Sequence, residues 1–392
     1  MQQVVRKSVI ASNNIDTTKK VYHLVVDGNA VLKSSLVNKS DVNYKGEEYG
    51  GVVNFLYRIG NLLLMRDFSR CVVCWDGFNS GVLRWEIYKD YKANRDKNYE
   101  AASELSRSTN DYDAYIAAYC RKVMDYHARN KASVVRKETD DENYQRQRAI
   151  LQDILEELFV RQYMYDNVEG DDLIAYYCKA RKKDDYVVIV TEDMDLSQLI
   201  SDRVCLYIPS TKKCVTTKND VEVLGVPHYN MVLRKVICGD KSDNIKGIKG
   251  IGEKMLETYF PQILTEHATL DGFIGKCKSI LEERKHNKQK PIKCLENAIN
   301  KVTDGCHGES VYEVNEKIID LSNPLLTEEA EAELGDIIDA PLDTSDRSIK
   351  NVCGIISKNG MSKLEDSSFF GKVFGPFDMV RKKEIDFAKT LS

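Results

Sequence analysis

The chain has 392 residues, with 57 Lys and Arg against 61 Asp and Glu for a formal net charge of −4, and is long enough for two or more domains with full cores. That balance gives no global electrostatic argument for a polyanionic partner, and no apolar run approaches the roughly 20 residues that span a bilayer. Residues 1–20, with Asn13, Asn14, Asp16, Lys19 and Lys20, lack the apolar centre of a signal peptide. They read as a flexible leader, and a cytoplasmic setting without membrane attachment is expected.

A strand is expected at 21–26, a helix around 51–66, and strands at 71–75 and near 163–168. A helix at 171–182, a strand at 186–190, a short helix at 195–201 and a strand at 204–208 follow. Such alternation predicts an α/β fold, a mostly parallel central sheet flanked by helices, with active groups at the carboxyl ends of its strands. Between Asp76 and Glu169 lies a long interruption rich in Tyr, Arg, Lys and Glu, with helical periodicity at about 111–130 and 143–160. A polar helical insertion there stands over the strand ends. Residues 228 to about 300 read as a separate helical piece. The expected organisation is a leader at 1–20, a core at 21–222 carrying the insertion at about 84–160, a helical subdomain at 223–305, and an extension at 306–392 without an assigned role. Of the eleven cysteines, Cys71 and Cys74 form the only C-x-x-C; it lies in an apolar strand with no second pair, so buried reduced thiols are expected rather than a zinc site.

Eight carboxylates fall at or beyond the ends of these runs. Asp27 closes Val21–Val26 and precedes Gly28; Asp76 repeats the pattern after Cys71–Trp75. Glu169, Asp171 and Asp172 open the helix at 171, near the helix end that best tolerates negative charge. Asp193 and Asp195 follow Val187–Thr191, and Asp243 lies in the run Gly239–Asn244. One Asp at a strand end is most simply a helix cap. So many at one sheet edge repel each other unless hard cations neutralise them, and oxygen-only ligands favour Mg2+ or Mn2+ over zinc. Two such ions roughly 3.5–4 Å apart would activate water at a phosphodiester.

In Asp243–Lys254, apolar residues alternate with Gly247, Gly250 and Gly252 just before a new helix, which reads as a hairpin between two helices. The glycines let backbone N–H groups approach a phosphate, a contact blind to base sequence, and Lys246, Lys249 and Lys254 add charge. Basic residues also gather at Arg84–Lys97, Arg121–Arg148 and Arg284–Lys293; the third run is expected to be a solvated face.

Taken in order, Asp27-Gly28, Trp75-Asp76 with Arg84 and Tyr91-Lys92-Ala93-Asn94-Arg95, Val168-Glu169-Gly170-Asp171-Asp172, Thr191–Asp195, and Gly239–Lys254 resemble the 5′ nuclease family over roughly residues 21–300. That family spans phage 5′→3′ exonucleases, the 5′-nuclease domain of bacterial DNA polymerase I and flap endonucleases. The resemblance implies a PIN-like core with a helical arch and a C-terminal helix-hairpin-helix subdomain. It implies that Asp27, Asp76, Glu169, Asp171, Asp172, Asp193, Asp195 and Asp243 hold two Mg2+ ions, with Mn2+ as a substitute. Lys92 and Arg95 would contact the scissile phosphate from the base of the arch, acting with Asp27 and Asp76 in catalysis. Tyr91 is read either as stacking on an unpaired terminal base or as packing. Arg84, Lys235, Lys246, Gly247, Lys249, Gly250, Gly252 and Lys254 complete the DNA-binding set implied, with a K+ ion at the hairpin as in several members.

Two departures stand out. The insertion from Lys97 to about Gln147 is longer than in the simplest phage enzymes, and after Asp27 only Lys33 stands in for an arginine that some relatives carry downstream. The implied activity is Mg2+-dependent cleavage of DNA with 5′ flaps, nicks or ends, and of RNA in RNA–DNA hybrids, during replication or repair, in host cytoplasm if the source is a phage. The extension suggests docking to a sliding clamp or single-strand-binding protein. The competing readings are a PIN-like ribonuclease and a non-catalytic, branch-binding scaffold.

Overall fold

Strands that are apolar on both faces need cover on both sides, and this requirement sets the centre of the fold. In the computed structural model, which describes residues 20–36, 41–93, 140–300 and 310–391, they build a six-stranded sheet. Its strands are β1 (Val21–Asp27), β2 (Arg70–Cys74), β3 (Arg161–Tyr163), β4 (Asp185–Val190), β5 (Val204–Ile208) and β6 (Lys213–Val215). The order is β3-β2-β1-β4-β5-β6, parallel except for β6, which turns back antiparallel on β5. The chain leaves β1 toward β2 and β3, then returns to β4 on the other side of β1. The connection therefore reverses between β1 and β4, where open α/β sheets bind ligands. Residues 1–19 of the leader, the helix expected at about 111–130, and Arg95 lie outside the described residues. Among the described residues no helix is long and apolar enough to cross a membrane.

The described residues within Met1–Ser80, Thr139–Met231 and Leu321–Ser392 form one unit around this sheet; those within Gly81–Glu138 and Val232–Asp320 form a second. In the first unit, one sheet face is closed by helices Gly28–Ser35, Gly50–Leu63 and Asp140–Glu157, which bury Val31, Phe55, Ile59 and Leu151. The other is closed by helix Gly170–Ala180 and the 3-10 turn Met194–Leu199, through Leu173, Ile174 and Leu196. On β2 the Cys71 and Cys74 thiols are buried and free, and burial pushes both up.

The stretch beyond 320 completes both faces. Helix Glu328–Ile337 adds Ala330, Leu334 and Ile338 to the second core. Helices Ile349–Lys358, Ser367–Phe374 and Asp378–Leu391 enclose Val352, Ile356, Val373, Phe377 and Val380 in the first. Thr327, Ser348 and Asp366 cap the starts of three of these helices by accepting backbone N–H bonds. Asp339 ties the region to the sheet, its Oδ1 meeting both Arg70 and Arg181 at 2.9 Å.

One strand is displaced from its expected place near 163–168: β3 starts at Arg161 and ends at Tyr163. A charged side chain argues against a buried strand from sequence alone. Here Arg161 is 2 % exposed because Glu384, itself 1 % exposed, takes both arms of its guanidinium, Nε on Oε1 at 2.9 Å and Nη2 on Oε2 at 2.7 Å.

The second unit is helical. Val82–Ile87, Met231–Cys238, Glu253–Tyr259, Leu270–His286, Lys293–Ile299 and Val311–Ile319 surround Ile237, Ile248, Leu256, Phe273, Leu295 and Tyr312. A two-stranded ribbon, β7 (Gly239–Asp240) with β8 (Ile245–Lys246), leads into the glycine hairpin. Buried Asn315 pins it by donating to Val236 O and Lys246 O at 3.0 and 2.9 Å.

Candidate active site

Asp27 is both the last residue of β1 and the N-cap of the helix that follows. Its Oδ1 accepts from Ala30 N at 2.9 Å and its Oδ2 from Thr191 Oγ1 at 2.8 Å, leaving it 6 % exposed. The helix can begin this abruptly because Gly28 lies against the Trp75 indole, where a Cβ would come within 2.4 Å of the ring. Thr191, at the end of β4, also accepts from Asp193 N at 2.8 Å, so one buried hydroxyl sets two of the acids. Asp193 Oδ1 in turn accepts from Asp195 N at 2.9 Å. Across β1, Asp76 follows β2, and its Oδ1 accepts from Gly170 N at 2.8 Å, the first amide of the helix that Glu169 caps. Neighbouring parallel strands thus deliver their terminal acids to one sheet edge.

Electrostatics bring Asp171 into the same group. Its carboxyl is held well above the usual carboxylate range, first by desolvation and then by the charges of Asp27, Asp193, Glu169 and Asp76. Among the described residues it meets no hydrogen-bond donor or cation. Desolvation, only partly offset by the Ala30 and Thr191 bonds and reinforced by Asp76 and Asp193, raises Asp27 from 3.8 to about 6. Crowded carboxylates with too few donors are a site short of positive charge, and an all-oxygen set suits a hard divalent cation.

A test follows without any substrate. Folded Asp27 holds its proton more tightly than the unfolded chain does, so its contribution is full below about pH 4 and is lost as pH rises through about 6. The rise corresponds to about 3 kcal/mol. Thermal melts in EDTA should therefore show stability falling from pH 4 to 7, and Ca2+ or Mg2+ should restore it at pH 7. Asp27→Asn should flatten the fall; an unchanged slope in that variant would remove Asp27 as its source.

The remaining expected residues divide. Asp172, buried at 1 %, accepts from Leu325 N at 2.9 Å. Successive helical residues lie about 100° apart, so it holds Leu325 while its neighbour Asp171 joins the acids. Asp195 starts the 3-10 turn after β4. Asp243 belongs to the second unit, where Tyr91 Oη donates to its Oδ2 at 3.3 Å and Lys92 N to its carbonyl at 2.8 Å. Asp240, three residues earlier, stands outside the expected set. Its carboxylate lies within 4.8 Å of that of Asp243 and pairs with Lys235 Nζ at 2.6 Å. The spacing D-x-x-D within one turn was the signal for it, as the hydroxyl ending the β4 run was for Thr191.

Three residues expected at the DNA are engaged within the second unit. Arg84 is 5 % exposed, with Nε on Ile318 O at 2.9 Å, and fastens two helices of the second unit together. Tyr91, 2 % exposed, packs in that unit's core, which leaves no face for a base. Lys235 is engaged by Asp240 rather than held out to solvent. Lys246, Lys249 and Lys254 are exposed around the hairpin. Gly247 lies against the turn at Gly239, where a Cβ would meet Cys238 C at 2.1 Å, and Gly250 takes φ +90°. Gly252 caps helix Glu253–Tyr259. Lys92 stands in a left-handed turn, φ +53°, with Nζ 4.8 Å from the centre of the Tyr91 ring.

The family model for the 5′-3′ exonuclease N-terminal, resolvase-like domain matches residues 22–225. Thermostable DNA polymerase I of Thermus thermophilus is 26 % identical over 217 residues, 55 % of this chain and 25 % of that protein. A 5′-3′ exonuclease of Bacillus subtilis is 23 % identical over 282 residues, covering 70 % of this chain and 79 % of that one. The chain spans a quarter or less of the length of the first polymerase relatives it matches. Among solved structures, the T5 D15 protein co-crystallised with metal ions superposes at a TM-score of 0.52 and 18 % identity, covering 94 % of this chain and 99 % of that one. T5 5′-exonuclease with bound zinc ions gives 0.52 and 17 %, over 95 % and 99 %. These two share the fold. With more than half its length matched to the family model, the chain belongs to the 5′-3′ exonuclease family.

Proposed function

We propose that this protein is a structure-specific 5′ nuclease that hydrolyses phosphodiesters near the 5′ ends of flapped or nicked DNA, and of RNA in RNA–DNA hybrids. The observation that carries the reading is Asp171, a carboxylate without a donor, facing the charges of Asp27, Asp193, Glu169 and Asp76 at the sheet edge. Two Mg2+ ions held there, with Mn2+ able to replace them, would supply a water of lowered pKa as nucleophile. Asp195 and Asp243 are the further ligands assigned from sequence, while Asp172, also assigned there, is turned to Leu325. The protein's own part is to hold these oxygens in place, Thr191 fixing Asp27 and Asp193 and the helix start fixing Asp76. Lys92 and Arg95 are assigned to the scissile phosphate, where cations stabilise charge that grows in the transition state. The exposed Lys246, Lys249 and Lys254 with the Gly247–Gly252 hairpin would grip the duplex backbone, a K+ ion included, so affinity should fall steeply with salt. A clamp or single-strand-binding protein remains part of the proposal for the protein's replication partners.

The test is cleavage of a 5′-labelled flap beside a nick, with Mg2+ and with EDTA, by wild type and Asp193→Ala. Product at the branch point that needs Mg2+ and disappears in the variant is the expected result. Turnover above a few percent in the variant would remove Asp193 from the site. Cleavage of single-stranded RNA with flaps left intact would favour a ribonuclease, and tight metal-free binding with no cleavage a scaffold.

A further inference from the structure

A cavity of about 540 Å3 opens beside the acidic cluster, its lining including Asn29, Lys33, Asp76, Tyr144 and Arg148. Its volume suits a nucleotide. Tyr144 Oη donates to Asn29 Oδ1 at 3.0 Å, fixing one wall, and Lys33 Nζ lies 5.7 Å from the centre of the Tyr144 ring. One helical turn beyond Tyr144 along the same helix stands Arg148. Its Nη2 donates to the Asp76 carbonyl at 2.6 Å and approaches the Met164 sulfur at 2.9 Å, and its guanidinium stands 5.3 Å from the centre of the Trp75 ring. Its Nε is buried with no partner, and among the described residues no carboxylate pairs with the group. A guanidinium is always charged, and a part-buried cation without a counter-anion is costly. Such a side chain on the wall of a nucleotide-sized cavity is a ready anion contact, and Arg suits phosphate.

We propose that this cavity binds the terminal 5′-phosphate of the strand to be cut, with Arg148 as the principal contact and Lys33 as the second. The inference rests on the nuclease reading and makes it more specific: the preferred substrate carries a 5′-phosphate rather than a 5′-hydroxyl. Arg148 touches the carbonyl of Asp76, itself one of the acids assigned to catalysis, so an anion bound to it lies beside that site. The cavity's other carboxylates, Asp140 and Asp141, are exposed to water, where their repulsion is screened. Asp76 is among the acids whose charge bound cations would offset.

Binding separates this proposal from the activity it rests on. Anisotropy in Ca2+, in place of Mg2+, with a short labelled oligonucleotide, bearing either a 5′-phosphate or a 5′-hydroxyl, should show about tenfold tighter binding of the phosphorylated form, the scale of one charge-assisted contact. Arg148→Gln should erase that preference, Arg148→Lys should keep part of it, and Lys33→Gln, on an exposed side chain, should reduce it. With Mg2+, the KM for a 5′-phosphorylated nicked duplex should rise in Arg148→Gln while that for the 5′-hydroxyl form stays put. Equal binding of the two oligonucleotides by wild type would overturn the proposal, as would a preference that survives Arg148→Gln. An equal loss on both substrates would also overturn it, leaving Arg148 as a residue that merely positions Asp76. Absence of any Mg2+-dependent cleavage, with the 5′-phosphate preference intact, would instead count against the nuclease reading alone.

Discussion

Asp171→Asn should abolish metal-dependent cleavage while leaving DNA affinity in EDTA close to wild type. The substitution keeps the shape of the side chain and the start of helix Gly170–Ala180, and removes the carboxyl on which the charges of Asp27, Asp193, Glu169 and Asp76 bear. Loss of an outer-shell partner typically costs a metal site 10- to 100-fold, so loss of a central ligand should cost more than about a hundredfold in kcat. The same change should stabilise the metal-free protein near pH 7, because it removes the desolvation of a buried carboxyl and, with it, like-charge repulsion, and should reduce the stabilisation by Mg2+. Single-turnover cleavage and melts with and without Mg2+ measure both. An Asp171→Asn protein that cuts at wild-type rate, or gains as much stability from Mg2+ as wild type, would show that Asp171 is no ligand.

Glu384→Ala should be among the most destabilising single changes in the sheet unit. It leaves the Arg161 guanidinium, 2 % exposed on β3, with a charge and two donors stripped of their partner. Removing one partner of a buried pair costs about 3–5 kcal/mol. Replacing both, as in Arg161→Met with Glu384→Leu, should recover most of that, because the pair's own attraction barely exceeds its desolvation. Urea unfolding followed by a probe in the sheet measures the difference. A single mutant within about 1 kcal/mol of wild type would mean that water reaches Arg161 and that the pair is not sealed.

What was legible in the sequence is what repeats. The apolar runs of β1, β2 and β4 are too short for helices and read as doubly covered strands, and the carboxylates behind them follow the rule that parallel strands present their ends to a site. Arg84 differs from its expected role because burial of a polar side chain is decided by its cover: the carbonyl that takes it is 234 positions away, in a helix whose docking no local pattern announces. β3 was misplaced for the same reason, its charge being answered from residue 384. Asp172 shows a finer limit. Adjacent acids look equivalent in a string, yet the helix turns them to different neighbours, one to the acidic cluster and one to Leu325. The helices beyond 320 carry ordinary caps and modest apolar stripes, which specify helices without saying what they cover.

The way residues 321–391 close both sides of the sheet also governs how the protein can be made. A ribosome delivers β1 to β5 long before helix Glu328–Ile337 and helices Ile349–Lys358 to Asp378–Leu391 exist. Until they arrive, the nascent sheet has bare apolar surface on both faces, and Arg161 has no counter-charge. Contacts this distant along the chain form slowly, and exposed apolar surface invites aggregation. The sheet unit can thus complete its cores only once residues 321–391 have been made. A chain that stops before residue 384 leaves Arg161 without its partner carboxylate.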